Sequence, residues 1–552
     1  MLLRQWICGG ISIVLFVVGA GLLTAGLIIV LSVFPNTIEN TVKTSKILGL
    51  NQDGTLNIFT NSWSKPTYIS TKEYWTFDYT NTIGILNRAI FPDVREKGPY
   101  AYDEKINNDH ISFTPDGEKM TFSQTVTYVF NADKSCKTCD PKKDTVTIPD
   151  ISFFKGIQII DHLIETVLHN KLLNVVCNLK YSKEKCSEIG KTIEKEISVA
   201  MSLFKVEPFV TVTVDELLFS GYNSPLIEKL INRIIQIMNT LLGDERFQKK
   251  PMITVKLNSE NGTTDTVYTA QTGKTDWSKT GYIISFANLT NASLPSLGNR
   301  LPNSWWPSAA TANCKDDYGE HALKIEGTNA NFFKSFIKKT ETLPVYIADV
   351  CRSTRLVFEK EVKVNGIPGY RFILPASEFD YTLEENCGFC RTLQFGAYDK
   401  PKNSSCLPSG LLDISGCQNG RHQQIYLGNP IIISKPHFYQ ASPIVQAFVP
   451  RFSPSYSDET TIDIEPTTGA LLSAKKKLQI NMLVNQFTKI GAYSVIRPGA
   501  YPLVWLNESS ILDEDTKQNL QTKLFTPQNT VQIACWTAVG VGGSYHETSS
   551  NY

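Results

Sequence analysis

Three kinds of hydrophobic pattern alternate along the chain. The first is a block: residues 11–34, ISIVLFVVGAGLLTAGLIIVLSVF, carry sixteen Ile, Leu, Val or Phe in twenty-four positions, and no charge falls between Arg4 and Glu39. A cleaved signal needs an apolar core of only about 7 to 15 residues, whereas about 20 residues of helix cross a hydrocarbon layer. The block supplies on the order of 5 to 9 kcal/mol of insertion free energy. It therefore predicts a transmembrane helix that is retained. A shorter run at 531–543 has only Val531, Ile533, Val539 and Val541 as strong inserters, supplying about 1 to 2.5 kcal/mol, and it is shorter than the roughly 17 residues of a span. That run is expected not to span the membrane, lying lumenal or dipping into the interface.

The second pattern is alternation, and it dominates the middle of the chain. TFSQTVTYVF (121–130) and FVTVTV (209–214) switch sides residue by residue, and KLQINMLV (477–484) places Leu478, Ile480, Met482 and Val484 on one face. GYRFILP (369–375) and YPLVWL (501–506) are short apolar or aromatic runs, while Pro115-Asp116-Gly117 and Asn365-Gly366 are turn signals. These features predict a mostly antiparallel sheet system.

The third pattern, spacing by three and four, is concentrated in one region. Over 154–176, Ile160, Leu163, Ile164, Val167, Leu168, Leu172 and Val175 form an apolar stripe opposite Asp161, His162, Glu165 and His169. A second amphipathic stretch carries Ile189, Ile193, Ile197, Met201 and Phe204. Ser224 and Pro225 have cap and first-turn character for a further helix that ends at Gly243. The fold class is α+β: a large β-rich body with a helical bundle inserted at 152–205.

Composition then narrows the function. Some 42% apolar residues suffice for a large core, and no Gly/Ser run, Pro-rich tract or internal repeat divides the roughly 500 residues after the block, so one intertwined unit over 36–530 is expected. A net charge of +1 argues against a nucleic-acid partner. Five acceptor sequons, at Asn261, Asn288, Asn291, Asn403 and Asn507, together with clustered cysteines, place this body in the lumen or outside the cell and leave residues 1–10 in the cytosol.

Six of the twelve cysteines, Cys314, Cys351, Cys387, Cys390, Cys406 and Cys417, crowd into one stretch, which reads as a disulfide framework whose pairing spacing does not fix. Zinc is the competing reading of Cys387-Gly-Phe-Cys390, but no second such pair or histidine pair follows at finger spacing. Cys136 and Cys139 sit in a polar turn, away from a helix start that would lower a thiol pKa, which favours a local or partner-swapped disulfide. Nucleophile elbow, zinc-protease, phosphate-loop and dinucleotide motifs are all missing from the sequence, so a non-enzymatic protein without cofactor or metal is expected.

Two polar features remain as binding candidates. His162 and His169 share a helix face with Glu165, so protonation near pH 6 could change what this face binds. Lys171, Lys180, Lys183 and Lys185 form a cationic cap of the kind an anionic lipid or an acidic protein ligand seeks.

The segments FDYTN (77–81), EKGPYAY (96–102), DELLFSGYNSPL (215–226), DVCRSTRLVFE (349–359), NGIPGYRFILP (365–375), GLLDISGCQNG (410–420), KPHFYQASP (435–443) and DIEPTTGALLSAKKKLQIN (463–481) together resemble the class B scavenger receptors. That family includes the fatty-acid translocase, the high-density-lipoprotein receptor and the lysosomal integral membrane protein. The resemblance implies a barrel-like antiparallel ectodomain with an apical helical bundle at 152–205 and an internal apolar tunnel. It also implies lipids, fatty acids, sterols or lipoprotein particles as ligands, at the plasma membrane or an endosomal or lysosomal membrane. A protein ligand gripped by the apical helices, with release controlled by pH, is the alternative. By similarity Cys314 pairs with Cys387, Cys351 with Cys417 and Cys390 with Cys406, although the family's Cys-x-Cys is here one residue longer. Cys177 and Cys186 look like an added staple across the apical turn. The resemblance also implies a second transmembrane helix and a cytosolic C-terminus, of which the run at 531–543 is expected to be a truncated remnant.

Overall fold

The computed structural model describes residues 17–537 except Gly19, Leu23, Gly26, 67–69, 158–181, most of 183–206, 243–253, 259–260, 263, 289–300, 302–304, 307–313, 315–317, 391–405, 419–429, 485–494 and Gln532. The described residues of 17–28 are helical and lead through a π-turn, Ile29–Val33, into the helix Phe34–Ser45. The π-turn lies just ahead of Pro35, which lacks an N–H and whose ring crowds the preceding turn. Val17, Ile28, Leu31 and Val33 are exposed. Among the described residues no helix is long and apolar enough to cross a membrane; residues 11–16 of the apolar block lie outside them. The helix outruns that block because Ile38 and Val42 give its last turns an apolar side, with Val42 buried.

Along the chain the first strands are β1 (Ser70–Tyr79), β2 (Val94–Phe113), β3 (Lys119–Phe130), β4 (Thr145–Pro149), β5 (Phe209–Thr213) and β6 (Tyr222–Asn223). Then come β7 (Thr254–Val255), β8 (Thr264–Gln271), β9 (Ile283–Asn288), β10 (Leu343–Ile347), β11 (Arg352–Val364) and β12 (Ile367–Ile373). The last are β13 (Leu412–Asp413), β14 (Ile431–Ser434), β15 (Thr461–Glu465), β16 (Ala470–Val484) and β17 (Gly499–Ile511). Eleven follow one path, β10-β11-β12-β15-β16-β17-β1-β2-β3-β8-β9, and β13 and β14 join it through β16. All strand pairs in it are antiparallel. The pairing of β1 with β17 makes the two ends of the chain's strand series neighbours.

A sheet this long exposes two edges unless it curls shut. Here Gly327 and Thr328 stitch the edges together: Ile283 N donates to Gly327 O at 2.8 Å, and Tyr346 N donates to Thr328 O at 2.8 Å. Gly327 has φ +91°, and a Cβ there would lie 1.9 Å from Pro344 O, so only glycine fits this seam. The barrel is nearly closed, with Phe286 against Tyr346 across the join, ring centroids 5.7 Å apart.

Two appendages complete the fold. At one end, Ile38 of the N-terminal helix, Ile367, Leu472, Leu520, Leu524 and Phe525 form a small separate core, so the N-terminal helix and the helix that starts at Glu514 converge on the same place. The described residues from Glu514 to Thr537 are helical, so this helix begins well before the apolar run at 531. At the other end, β4 and β5 bracket the segment expected to hold the inserted helices. Its root, 151–157, is helical and buries Ile151, Phe153, Phe154 and Ile157. Gly156 there lies close to Ile227 and Ile231 of the helix Pro225–Leu242, with 2.7 Å from its notional Cβ to Ile227 Cγ2.

Disulfides join Cys314 to Cys387 and Cys390 to Cys406, with Cα atoms 5.8 and 5.0 Å apart, so the longer Cys387-Gly-Phe-Cys390 spacing accommodates both. Cys351 is disulfide-bonded, and the expected partner Cys417 lies outside the described side chains. Cys136 bonds Cys139 locally. Cys177 and Cys186 are outside the described residues.

Candidate functional site

Alternation along a strand sends every second side chain to the inside of the barrel. On β1 the inward set is Ser70, Lys72, Tyr74 and Thr76, all buried, and Tyr74 meets Phe219 and Tyr102 in the main core. Register carries the set sideways: Glu104 on β2 faces Ser70 and Tyr128 on β3, while Glu508 on β17 faces Lys72 and Lys476 on β16. The result is an inward layer of two lysines and two glutamates across four adjacent strands, with Tyr128 beside it on a fifth. One step further along, Leu506 lies opposite both Tyr74 and Leu478, and Ile480 follows.

Hydrogen bonding in the layer is uneven. Ser70 Oγ donates to Glu104 at 2.5 Å, and Lys476 Nζ donates to Glu508 at 2.6 Å. Lys72 Nζ reaches Tyr128 Oη only at 3.5 Å and Glu104 Oε1 at 3.8 Å. Burial opposes the Lys72 charge, but Tyr74, Tyr128, Glu104 and Glu508 outweigh it and hold its pKa well above the usual lysine value. Burial, then the neighbouring Glu508, pushes the Glu104 carboxyl up. Glu508 is also penalised by burial, yet Lys476 and Lys72 bring it down.

The apolar wall beside this layer is not sealed. Tyr74, Thr76 and Val504 are essentially inaccessible, whereas Leu478, Ile480 and Leu506 on the same inward face are only half-buried. In a close-packed core such central positions are fully covered.

The outward side of the same strands is covered instead by the segment from Lys435 to Glu459. There Lys435 Nζ donates to Leu374 O at 2.6 Å, Gln440 Oε1 at 2.5 Å and Glu459 Oε1 at 2.6 Å, which uses all three of its protons. His437 sits between Asp458, 2.9 Å from Nδ1, and Glu96, 3.5 Å from Nε2, and its backbone N–H donates to Gln479 at 2.8 Å. Burial lowers its pKa, but the two carboxylates raise it further, to about 9.

A family model described as "CD36 family" matches residues 17–545, nearly the whole chain. The chain belongs to the CD36 family. Similar proteins include an uncharacterised protein of Caenorhabditis elegans, 52% identical over 98% of this chain and 95% of its own. Human lysosome membrane protein 2 is 28% identical over 94% of this chain and 88% of its own, and pig scavenger receptor class B member 1 is 25% identical over 87% and 78%.

In this CD36-family chain most of the sequence-derived apical candidates, His162, His169, Lys171, Lys180 and Lys183, lie outside the described residues. Lys185 is described, on a helical residue, and is exposed. Among the sequons, Asn261 is on an exposed turn and its carboxamide pairs with both backbone groups of Tyr128, at 2.8 Å each. Asn507 points outward from β17 and donates to Glu73 Oε2 at 2.7 Å. The side chain of Asn288 and all of Asn291 and Asn403 lie outside what is described. Sequence reasoning missed Lys72, Glu104, Glu508 and Lys476 altogether. In sequence three of them stand in charged runs, Lys72-Glu73, Asp103-Glu104-Lys105 and Lys475-Lys476-Lys477, and which charge of each run points inward is settled only once the register is known.

Proposed function

We propose that the chain is a membrane-anchored receptor that binds lipids or lipoprotein-like particles at its inserted helices and passes hydrophobic cargo through the barrel to the bilayer. The observation that carries this reading is the half-buried aliphatic wall of Leu478, Ile480 and Leu506 inside a nearly closed sheet. The core they pack against leaves part of each side chain uncovered, and a lipid chain would cover it. The anchor is the apolar block at 11–34, whose exposed Val17, Ile28, Leu31 and Val33 call for hydrocarbon as their solvent. The body at 36–530 then stands outside the cytosol, glycosylated at Asn261, Asn288, Asn291, Asn403 and Asn507, at the plasma membrane or an endosomal or lysosomal membrane. Convergence of the N- and C-terminal helices on one small core supports a conduit exit beside the bilayer. Expressing cells should take up a fluorescent fatty acid or cholesteryl ester faster than controls; equal uptake removes the transport reading.

The likeness to lysosome membrane protein 2 favours a second reading, an endosomal or lysosomal receptor that holds a protein ligand through the apical helices. His162 and His169, flanking Glu165, are then the groups that change charge in an acidic compartment. Binding compared at about pH 7.4 and about pH 5.5, with both histidines changed to Gln, decides it. Wild-type binding that ignores pH eliminates this reading.

A further inference from the structure

Lys72 is a buried ammonium whose three protons are poorly used. Its nearest acceptors are the Tyr128 hydroxyl at 3.5 Å and Glu104 Oε1 at 3.8 Å, at and beyond the limit of a useful hydrogen bond. The carboxylates that could have closed on it are engaged elsewhere: Glu104 accepts from Ser70 at 2.5 Å, and Glu508 accepts from Lys476 at 2.6 Å. A purely structural cluster of two lysines and two glutamates gains most when each ammonium is tightly matched, because desolvating an ion costs several kcal/mol that only close contacts return. This layer matches one lysine and leaves the other loose. The loose one lies 6.0 and 5.3 Å from the ring centroids of Tyr74 and Tyr128, and one inward step along the neighbouring strand from its partner position Glu508 is the half-buried Leu506, paired with Leu478.

We propose that the Lys72 ammonium is an anchor inside the barrel for the head group of a single-chain amphiphilic monoanion, a long-chain carboxylate, whose tail lies along Leu506, Leu478 and Ile480. The proposal rests on the reading of the barrel as a lipid conduit and adds the place where an acid head stops. A carboxylate brings one negative charge to one under-used ammonium. A phosphate monoester would bring up to two charges beside Glu104 and Glu508, which a single lysine does not offset. The persistence of the Lys72 charge follows from the four groups around it, as described above.

The test uses the full chain in lipid nanodiscs with cis-parinaric acid, a fluorescent long-chain carboxylate, and its methyl ester. Wild type should prefer the acid, and Lys72→Met should weaken the acid about tenfold, the worth of one charge-assisted hydrogen bond, while leaving the ester unchanged. Lys72→Arg should keep the acid within about threefold. If Lys72→Met does not fold, Tyr128→Phe, which removes the hydroxyl competing for the ammonium, should tighten the acid by about twofold or more. An acid preference that survives Lys72→Met moves the anchor to the apical lysines and overturns the proposal, as does unchanged affinity in Tyr128→Phe. Dodecyl phosphate competing better than dodecanoate overturns the carboxylate assignment. Ester and acid bound equally by wild type dispose of the anchor but leave the conduit; neither bound disposes of both.

Discussion

Lys435 and Lys72 are both buried lysines beside the central strands, one under the outer cover and one inside the barrel, and they are held in opposite ways. Lys435 gives each of its protons to an acceptor within 2.6 Å, whereas Lys72 has no acceptor closer than 3.5 Å. The first arrangement is what a brace requires, because a buried charge repays its desolvation only through close and complete contacts. The second leaves capacity for something else. The outer cover is therefore the braced side of these strands, and the inward face is the side on which the proposed ligand would lie.

Removing the brace should have the largest effect. Lys435→Met leaves Glu459 buried without its cation and should cost about 3 to 5 kcal/mol, seen as a large fall in the midpoint of thermal unfolding. A loss under about 1 kcal/mol would erase the contrast between the two lysines. His437, in the same cover, sharpens it through pH. Its folded pKa of about 9 exceeds the ordinary 6.5, so the stability it contributes is complete below pH 6.5 and is lost as pH rises through 9. That loss should amount to roughly 2 to 3 kcal/mol, and His437→Gln should flatten the alkaline slope.

The inner lysine should behave differently. Lys72→Met removes two long contacts and one of the cations near Glu104 and Glu508, but Glu104 keeps its bond from Ser70 and Glu508 its bond from Lys476, so the cost should be smaller than that of Lys435→Met, about 1 to 2 kcal/mol. A cost matching that of Lys435→Met would mean that Lys72 is a brace as well.

The contrast between the two faces was almost invisible in the sequence, although many strands were not. Alternation located β3 at 121–130 and β5 at 209–214, against observed Lys119–Phe130 and Phe209–Thr213, and the signals at Ser224 and Gly243 bracket the helix Pro225–Leu242. The turns at 115–117 and 365–366 hold residues with positive φ, Gly117, Asn365 and Gly366. Local chemistry sets these features, so local sequence reveals them. β2 escaped notice because its twenty residues carry Lys, Asp, Glu and Asn on both faces. The Gly327 seam and the pairing of β1 with β17 depend on contacts between residues far apart in sequence. The candidate site suffered most from this: Lys72, Glu104, Lys476 and Glu508 come from four strands and acquire meaning only as neighbours. Lys435 and His437 stood inside the quoted segment KPHFYQASP, yet nothing in the segment itself indicates that Glu459, Asp458 and Glu96 converge on them.

The smallest stability effect gives the sharpest comparison of the two faces. Adding volume to a close-packed core costs about 1 to 3 kcal/mol, because neighbours must leave their rotamers. Leu478 is half-buried on the inward face, and its cross-strand neighbour Leu506 is half-buried too. Leu478→Trp should therefore be accommodated within about 0.5 kcal/mol, the extra ring covering aliphatic surface that is otherwise uncovered. The same ring should obstruct the proposed lipid transfer through the barrel while leaving the proposed ligand capture outside it intact. Unfolding midpoints and transfer of a fluorescent lipid into acceptor vesicles measure the two consequences separately. Unchanged stability with blocked transfer is the signature of a conduit; strong destabilisation would mean that the inward face is packed as solidly as the outer cover.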